Sequence, residues 1–485
     1  MKPIVSLDYI PTSSYVPAAQ KQPAEAGRSR PTLTALVVLS AAFMSVLDVF
    51  IVNVAFPAIG RHFAEVNVAR LSWVLSAYAI VFAALLVPAG RWADRAGRKR
   101  SFLAGLALFT AASVLCAVAN SVGMLIGARI LQAAGAALLW PAAMGLLLSE
   151  FPPEKRSIAI ALFAAVGAVA AASGAPVGGL LSELGWRSIF LVNLPVGIVA
   201  LIAGARILRE IRESSSTERP DLLGALILAA GIGCLVLVII KGRDWNWNVG
   251  RILTLSAAAI GLLAWLFGRS RTHPAPVIEL PMLRVRSFAL SNLSAMLFAI
   301  AFGAMLLSNV MFLTHVWGSA SWLLGLQLAP GPLMAAAVAL PAGKLCARIG
   351  QRTVAVAGAL SFAFGIAWWI WQLGPAPHYL SQFLVGFLFT GIGVGLSLPS
   401  VSSAAIAALP PERLSTGSAI LNMSRQIGMA LGVAILVAII GDAHGPTSIV
   451  EFRYGYFAMG FAALGSGLTC LALNRGDLLA KRPTY

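Results

Sequence analysis

The sequence contains few charged residues for its length, and acidic residues are the scarcest. Of 485 residues only 11% are charged and only 18 are Asp or Glu, whereas 59% are hydrophobic and the mean hydropathy is +0.86. A soluble domain of this length does not bury so much apolar surface, so lipid must be the main solvent around the chain. The composition therefore argues against a soluble enzyme and predicts an integral membrane protein.

Cofactor-binding patterns are also missing. The four cysteines show no spacing typical of a disulfide framework or a zinc site. The chain has no phosphate-binding loop of the G-x-x-x-x-G-K-[ST] type, because Gly343 and Lys344 are followed by Leu345. We therefore predict no metal and no nucleotide cofactor, and we expect the proton motive force to supply the energy.

The charges that are present are mostly basic, with 35 Lys and Arg and a formal net charge of +17. They form short clusters between apolar runs rather than one basic domain, which argues against a nucleic-acid partner. When residues 1–32 are placed inside and the spans alternate, most basic residues fall on the inner side, as the positive-inside rule requires. The pattern predicts that both termini are cytoplasmic.

Fourteen apolar segments are each long enough to cross about 30 Å of hydrocarbon. Because backbone polar groups in lipid must be paired within the segment, each is predicted to be a helix, giving an all-α membrane protein. The predicted spans are 33–57, 71–89, 102–119, 122–148, 158–181, 188–207, 222–240, 251–268, 288–314, 321–342, 353–373, 380–405, 416–441 and 454–473.

Two stretches of sequence recur in the same order. GRWADRAGRKR, which begins at Gly90, returns as GKLCARIGQR from Gly343, and FPPEKRSIAI, from Phe151, returns as LPPERLSTGS from Leu409. The offsets are nearly equal, so the chain is predicted to hold two pseudo-symmetric six-helix halves. Parallel halves of this kind place the substrate path at their interface, near the middle of the membrane.

The repeat divides the chain into five parts. The two halves would be residues 33–207 and 288–473, and residues 208–287 would be a linker that carries two inserted helices. Residues 1–32 are polar and rich in Pro, Ser and Ala, which predicts a disordered cytoplasmic tail rather than a signal peptide. Residues 474–485 would form a cytoplasmic C-terminal tail.

Three motifs carry a family resemblance. The first span contains LDVFIVNVAFP with Asp48, the loop after the second span reads GRWADRAGRK, and the fourth span contains ARILQAAGAA with Arg129 and Gln132. Together they resemble the fourteen-helix drug:proton antiporters of the major facilitator superfamily, the multidrug efflux permeases. The resemblance implies a major facilitator fold with two extra central helices, a bacterial inner membrane, and proton-coupled export by alternating access.

Asp48 is the only acidic residue predicted to lie deep inside a span. A carboxylate in the bilayer is costly, so such residues persist chiefly where they bind or relay something. Counted at about 1.5 Å per residue, Asp48 and Arg129 lie at similar depth, and Gln132 shares the helix face of Arg129. We predict that Arg129 and a proton compete for Asp48, which would couple protonation to conformation. A permanent structural ion pair is the alternative.

The loop after the second span contains five residues that the resemblance assigns to gating: Gly90, Asp94, Arg95, Gly97 and Arg98. Its glycines allow a tight reversal, and its aspartate can accept hydrogen bonds from backbone amides or arginines. The resemblance implies that this loop latches the two halves together in the outward-facing state. A basic loop that only sets topology is the alternative.

The fifth span carries SGAPVGG, which resembles the exporter motif of the superfamily. Gly174, Gly178 and Gly179 allow close helix contact, and Pro176 removes a backbone hydrogen bond. The family's proline directly follows the first glycine, whereas Ala175 intervenes here. One residue turns the kink by about 100° around the helix, which weakens the assignment to export.

Three polar residues inside predicted spans, Asn53, Asn422 and Arg425, are candidates to line the substrate cavity. Snorkelling of Arg425 to the inner surface is an equally good alternative.

The sequence favours a proton-coupled exporter of amphipathic, cationic or neutral small organic molecules such as drugs or antibiotics. Asp48 would carry the proton, with the lipid bilayer as surroundings and a periplasmic adaptor left open. A dedicated exporter of one metabolite shares the same architecture. A non-transporting sensor or membrane anchor is a third reading, and collapse of the pH gradient would leave its function unchanged.

Overall fold

The structure is a computed structural model whose regular secondary structure, within the part of the chain that it describes, is helical and contains no strand. Residues 1–30 of the predicted disordered tail 1–32, and the whole predicted C-terminal tail 474–485, lie outside the described residues. The described residues are 31–152, 155–212, 219–242, 245, 248–410, 413–441 and 448–473.

Fourteen long helices, numbered α1 to α14, run through these residues. Their bounds are Pro31–His62, Val68–Ala96, Arg98–Ala117, Val122–Ser149, Arg156–Glu183, Ser188–Ile207, Leu222–Lys241, Val249–Thr272, Arg286–Val316, Ser321–Ile349, Gln351–Gln372, Tyr379–Ala407, Leu414–Ile440 and Ile449–Leu471. The first thirteen are long and apolar enough to cross a membrane. The last has 23 residues and packs against α9 and α11. These helices together confirm the all-helical membrane fold predicted from the sequence.

The first helix is longer than the predicted span. It begins at Pro31, inside the segment predicted as a tail, and it continues past Pro57 to His62. The predicted span ended at Pro57, and proline removes one hydrogen bond of the helical ladder. Within a helix bundle the neighbouring helices can accommodate the freed backbone group, so proline does not end the helix there.

The packing of the helices repeats between α1–α6 and α9–α14. In the first set α1 packs on α5 and α6, and α4 packs on α2 and α3; in the second, α9 packs on α13 and α14, and α12 packs on α10 and α11. Prolines repeat at the same places: Pro88 in α2 matches Pro341 in α10, and Pro141 in α4 matches Pro399 in α12.

Close backbone contacts follow the same repeat. A Cβ atom at Gly135 of α4 would lie 2.8 Å from the carbonyl oxygen of Gly105 in α3, and one at Gly393 of α12 would lie 2.8 Å from that of Gly358 in α11. These distances are too short for a side chain. Glycine therefore fixes the spacing of the equivalent helix pair in each set.

The two sets of helices meet along two seams. One seam joins α2 to α13, and the other joins α5 to α10. Of the two inserted helices, α7 packs against both α2 and α13, whereas α8 packs mainly on α7 and leaves most of its surface exposed.

Candidate functional site in the helix bundle

Asp48, near the middle of α1, is completely buried and accepts hydrogen bonds from three side chains. Nη1 of Arg129 donates to Oδ2 over 2.5 Å, while Nε2 of Gln132 and Nδ2 of Asn193 donate to Oδ1 over 2.9 and 3.0 Å. The expected ion pair is therefore present, and α1 is joined to α4 and α6. Hydrogen bonds to an ionised group are stronger than neutral ones, and all three donors converge on this one carboxyl group.

Arg129 is 1% exposed and has contacts beyond the carboxylate. Its Nη1 also donates to Oε1 of Gln132 over 2.5 Å, and its Nε donates to the backbone oxygen of Val74 over 3.3 Å. The guanidinium carbon lies 4.2 Å from the ring centre of Tyr78, in α2, within the range of a cation–π interaction. If Asp48 were neutralised, Arg129 would still have these partners.

The structure adds residues that sequence reasoning missed. Ser113 of α3 accepts from Gln132 over 2.9 Å and from Asn193 over 3.3 Å, so it holds the two amides that face Asp48. Asn193 and Ser113 are uncharged residues in apolar runs, and the sequence signal for them is only that they are polar residues inside predicted spans. Asn193 Oδ1 is buried without a hydrogen-bond partner among the described residues.

A cavity lies at the interface of the two sets of helices, next to this network. Arg129 and Tyr78 contribute to its wall, whereas Asp48 does not. The lining residues are Val49, Asn53, Leu75, Tyr78, Ala79, Arg129, Gly303, Leu306, Gln426, Met429, Ala430 and Val433. Arg129 therefore stands between the buried carboxylate and the space that a transported molecule could enter.

Of the three predicted cavity residues, Asn53 lines this cavity and the other two do not. Asn53 donates to the backbone oxygen of Val49 over 2.8 Å, and Asn422 donates to that of Ser418 over 3.0 Å. Arg425 faces α12. Its guanidinium donates hydrogen bonds to the backbone oxygen of Leu398 and to Oγ of Ser402 on that helix.

The signature loop is a tight turn between α2 and α3. Gly97, with a φ of 111°, connects the two helices, and Gly350, with a φ of 88°, does the same in the second copy of the loop. Glycine adopts this backbone region without steric cost. Gly90 packs near Pro141, and Arg95 is exposed.

Ion pairs hold the signature loop in place. Asp94 and Arg98 form a salt bridge of 2.9 Å across one helical turn, and the backbone N–H of Arg98 donates to the carbonyl oxygen of Ile211, after α6. A contact toward the second set of helices comes from Arg91, whose Nη2 lies 2.7 Å from Oε1 of Glu279. The sequence did not predict this pair, because Glu279 lies far along the chain in the segment before α9.

The predicted exporter motif of α5 lies where helices from both sets meet. Gly174 and Gly178 pack against α1: a Cβ at Gly178 would lie 3.2 Å from Cα of Ile51. Gly179 faces α10, where a Cβ at Gly325 would lie 3.1 Å from Cα of Pro176 and 3.2 Å from Cα of Gly179. The motif therefore forms a backbone-to-backbone contact between the halves, at the predicted outer end of the bundle.

We expect Gly325→Ala to loosen this contact. Its new Cβ would lie 2.6 Å from the carbonyl oxygen of Ala175, so α5 and α10 must separate, at a cost of about 1–3 kcal/mol. Hydrogen exchange measured by mass spectrometry should rise in residues 175–183 and 321–328. Gly167→Ala is the matched control, because nothing lies within 4 Å of that position. Equal exchange in the two variants would contradict the proposed contact.

Comparison with known proteins gives the same family as the motifs. The sequence profile of the Major Facilitator Superfamily matches residues 38–317 and 293–484. The chain is 35% identical over 406 residues to the multidrug resistance protein Stp of Mycobacterium tuberculosis, covering 82% of this chain and 74% of Stp. It is 30% identical to the methylenomycin A resistance protein of Streptomyces coelicolor, covering 93% and 94%. It is 33% identical to the cephamycin export protein CmcT of Amycolatopsis lactamdurans, covering 90% and 91%.

Solved structures agree at the level of the fold. A bacterial homologue of the human lysosomal transporter Spinster, in an inward-facing conformation, aligns with a TM-score of 0.65 at 17% identity and covers 92% of this chain and 98% of its own. A POT family transporter aligns with a TM-score of 0.65 at 13% identity, covering 91% and 95%. The chain therefore belongs to the Major Facilitator Superfamily and is a membrane transporter.

Proposed function

We propose that this protein exports amphipathic small organic molecules, such as drugs or antibiotics, in exchange for protons. The observation that carries the proposal is the buried Asp48–Arg129–Gln132 network beside a cavity between the halves. The relatives named for multidrug resistance, methylenomycin A resistance and cephamycin export support the direction of transport. The positive-inside pattern supports cytoplasmic termini, and the bacterial relatives support a bacterial inner membrane.

The geometry suggests how protons and substrate would be coupled. Asp48 is out of reach of the cavity, whereas Arg129 contacts both Asp48 and the cavity. A proton on Asp48 would remove the charge that holds Arg129 and leave it with Gln132, Val74 and Tyr78 as partners. Protonation and substrate would thus act on the same guanidinium, and each would shift the equilibrium between the two access states.

The proposal is tested with purified protein in liposomes that are acidic inside. Ethidium, 7-diethylaminocoumarin-3-carboxylate and the neutral ethyl ester of that carboxylate are added outside in separate experiments, while dye uptake and lumenal pH are recorded together. Antiport predicts that uptake of at least one dye depends on the pH gradient and makes the lumen more alkaline. Uptake that persists after a protonophore collapses the gradient, or no gradient-dependent flux of any of the three dyes, would refute proton-coupled export.

Breadth of substrate is a separate question. The relatives include a protein named for multidrug resistance and others named for single compounds. A dedicated exporter of one metabolite therefore has support from the same comparison, and it would transport one class of molecule in this assay.

A further inference from the structure

Arg425 carries a positive charge into the interior of the C-terminal half. It lies on α13, Leu414–Ile440, about 16 Å along a helix that is about 40 Å long. A charged side chain at this depth is costly, and such residues are normally paired or bind something. The partners of this arginine therefore need to be accounted for.

The contacts of Arg425 are neutral. Its Nη2 donates to the backbone oxygen of Leu398 over 3.0 Å and to Oγ of Ser402 over 2.5 Å, both on α12. Its Nε is buried and has no hydrogen-bond partner within the described part of the chain. A guanidinium has five N–H donors, so this one is incompletely satisfied and its charge is not balanced by the residues that it touches.

The sequence offers no nearby carboxylate to complete the pair. From residue 286 to residue 441, the stretch that contains α9 to α13, Glu412 is the sole acidic residue, and it precedes α13. Glu451 lies at the opposite end of the bundle, in the first turn of α14. Asp48 is already bonded to Arg129, Gln132 and Asn193. Within the described part of the chain, the helices of the C-terminal half therefore hold an arginine that no carboxylate pairs with.

Arg425 is adjacent to the cavity between the halves. Gln426, the next residue, and Met429, one helical turn further on, both line the cavity. Side chains four residues apart lie on neighbouring positions of one helix face. A molecule that extends from the cavity by one turn toward the predicted inner end would reach the guanidinium.

We propose that Arg425 binds the anionic group, of the carboxylate class, of an amphipathic molecule that this protein exports. Guanidinium groups match carboxylates in geometry, and a charge-assisted pair at this depth would offset the cost of the buried cation. The inference rests on the proposed export function. It differs from the sequence-based expectation of a cationic or neutral substrate, because Asp48 is enclosed by its own donors and Arg425 has no carboxylate partner among the described residues.

The test compares two dyes that differ in one group: 7-diethylaminocoumarin-3-carboxylate and its ethyl ester. Binding of each to the purified protein in detergent is measured by fluorescence anisotropy for the wild type, Arg425→Gln and Arg425→Lys. Arg453→Gln is the control, because Arg453 is an exposed arginine at the start of α14 in the same half.

The wild type and the control should bind the carboxylate about tenfold or more tightly than the ester. Arg425→Gln should lose that preference and keep its affinity for the ester, and Arg425→Lys should retain part of the preference. Equal binding of the two dyes by the wild type, including no binding of either, overturns the assignment. A loss in Arg425→Gln that is equal for both dyes would show that Arg425 only ties α13 to α12, and it also overturns the assignment.

The dye-driven pH change in liposomes separates this inference from the function on which it rests. Proton exchange driven by the ester without any preference for the carboxylate would leave antiport standing and refute the anion site. A preference that depends on Arg425, without proton exchange by either dye, would support the anion site and refute antiport.

Discussion

Asp48→Asn is expected to abolish proton exchange and to reduce gradient-driven transport on the order of 100-fold, the upper range of coupling between linked sites. The asparagine has nearly the same shape and can still accept a hydrogen bond, but it can neither ionise nor take up a proton. Arg129 would then lose its charged partner permanently and resemble its state beside a protonated Asp48. The transporter would be held on one side of the proposed proton-dependent equilibrium.

The measurement is substrate-driven alkalinisation of acidic liposomes, recorded together with dye uptake. Glu65→Gln is the matched control, because it removes one carboxylate from an exposed position in the loop after α1. If Asp48→Asn exchanges protons at the wild-type rate, Asp48 is structural and another residue carries the proton. If Asp48→Asn loses proton exchange but binds the dyes as tightly as the wild type, Asp48 serves proton coupling and not substrate recognition.

The central ion pair could be predicted from sequence because charge is so rare in the spans. Asp48 is the only acidic residue predicted deep inside a span, and Arg129 lies at a matching depth in a family motif. Gln132 followed from helical spacing. The structure brings these three residues together within hydrogen-bonding distance, so a few polar residues in apolar sequence were enough to find the centre of the network.

The remaining partners depend on packing that helix periodicity does not encode. Ser113 and Asn193 come from α3 and α6, which are apolar over most of their surface, so their rotation toward Asp48 could not be read from the sequence. Arg425 illustrates the same limit: its depth was predictable, but its orientation toward Ser402 of α12 was not. Long-range loop contacts, such as that of Arg91 with Glu279, were also missed.

The repeat explains why the fold was more predictable than the site. Prolines and close glycine contacts recur at matching positions in the two halves, so each half provides independent information on the same helix arrangement. The charged residues inside the spans do not recur. The first half has an ion pair at Asp48 and Arg129, whereas Arg425 in the second half has no carboxylate partner among the described residues. If both proposals hold, this asymmetry gives the two halves different chemical roles.

Arg129→Gln is expected to destabilise the protein by about 3–5 kcal/mol, because it leaves the completely buried carboxylate of Asp48 without its cation. The double variant Asp48→Asn with Arg129→Gln removes both charges, so most of that loss should be recovered. Thermal unfolding in detergent compares the wild type, both single variants and the double variant.

Across these four proteins, proton exchange should not follow thermal stability. If the ion pair is the coupling element, the double variant regains a stable fold but shows no proton exchange, since neither the proton acceptor nor its competitor remains. Recovery of both stability and proton exchange would mean that the charges are dispensable for coupling. A double variant as unstable as the sum of the two single variants would show that Asp48 and Arg129 do not act as a pair, and both the structural and the functional interpretation of the network would then be wrong.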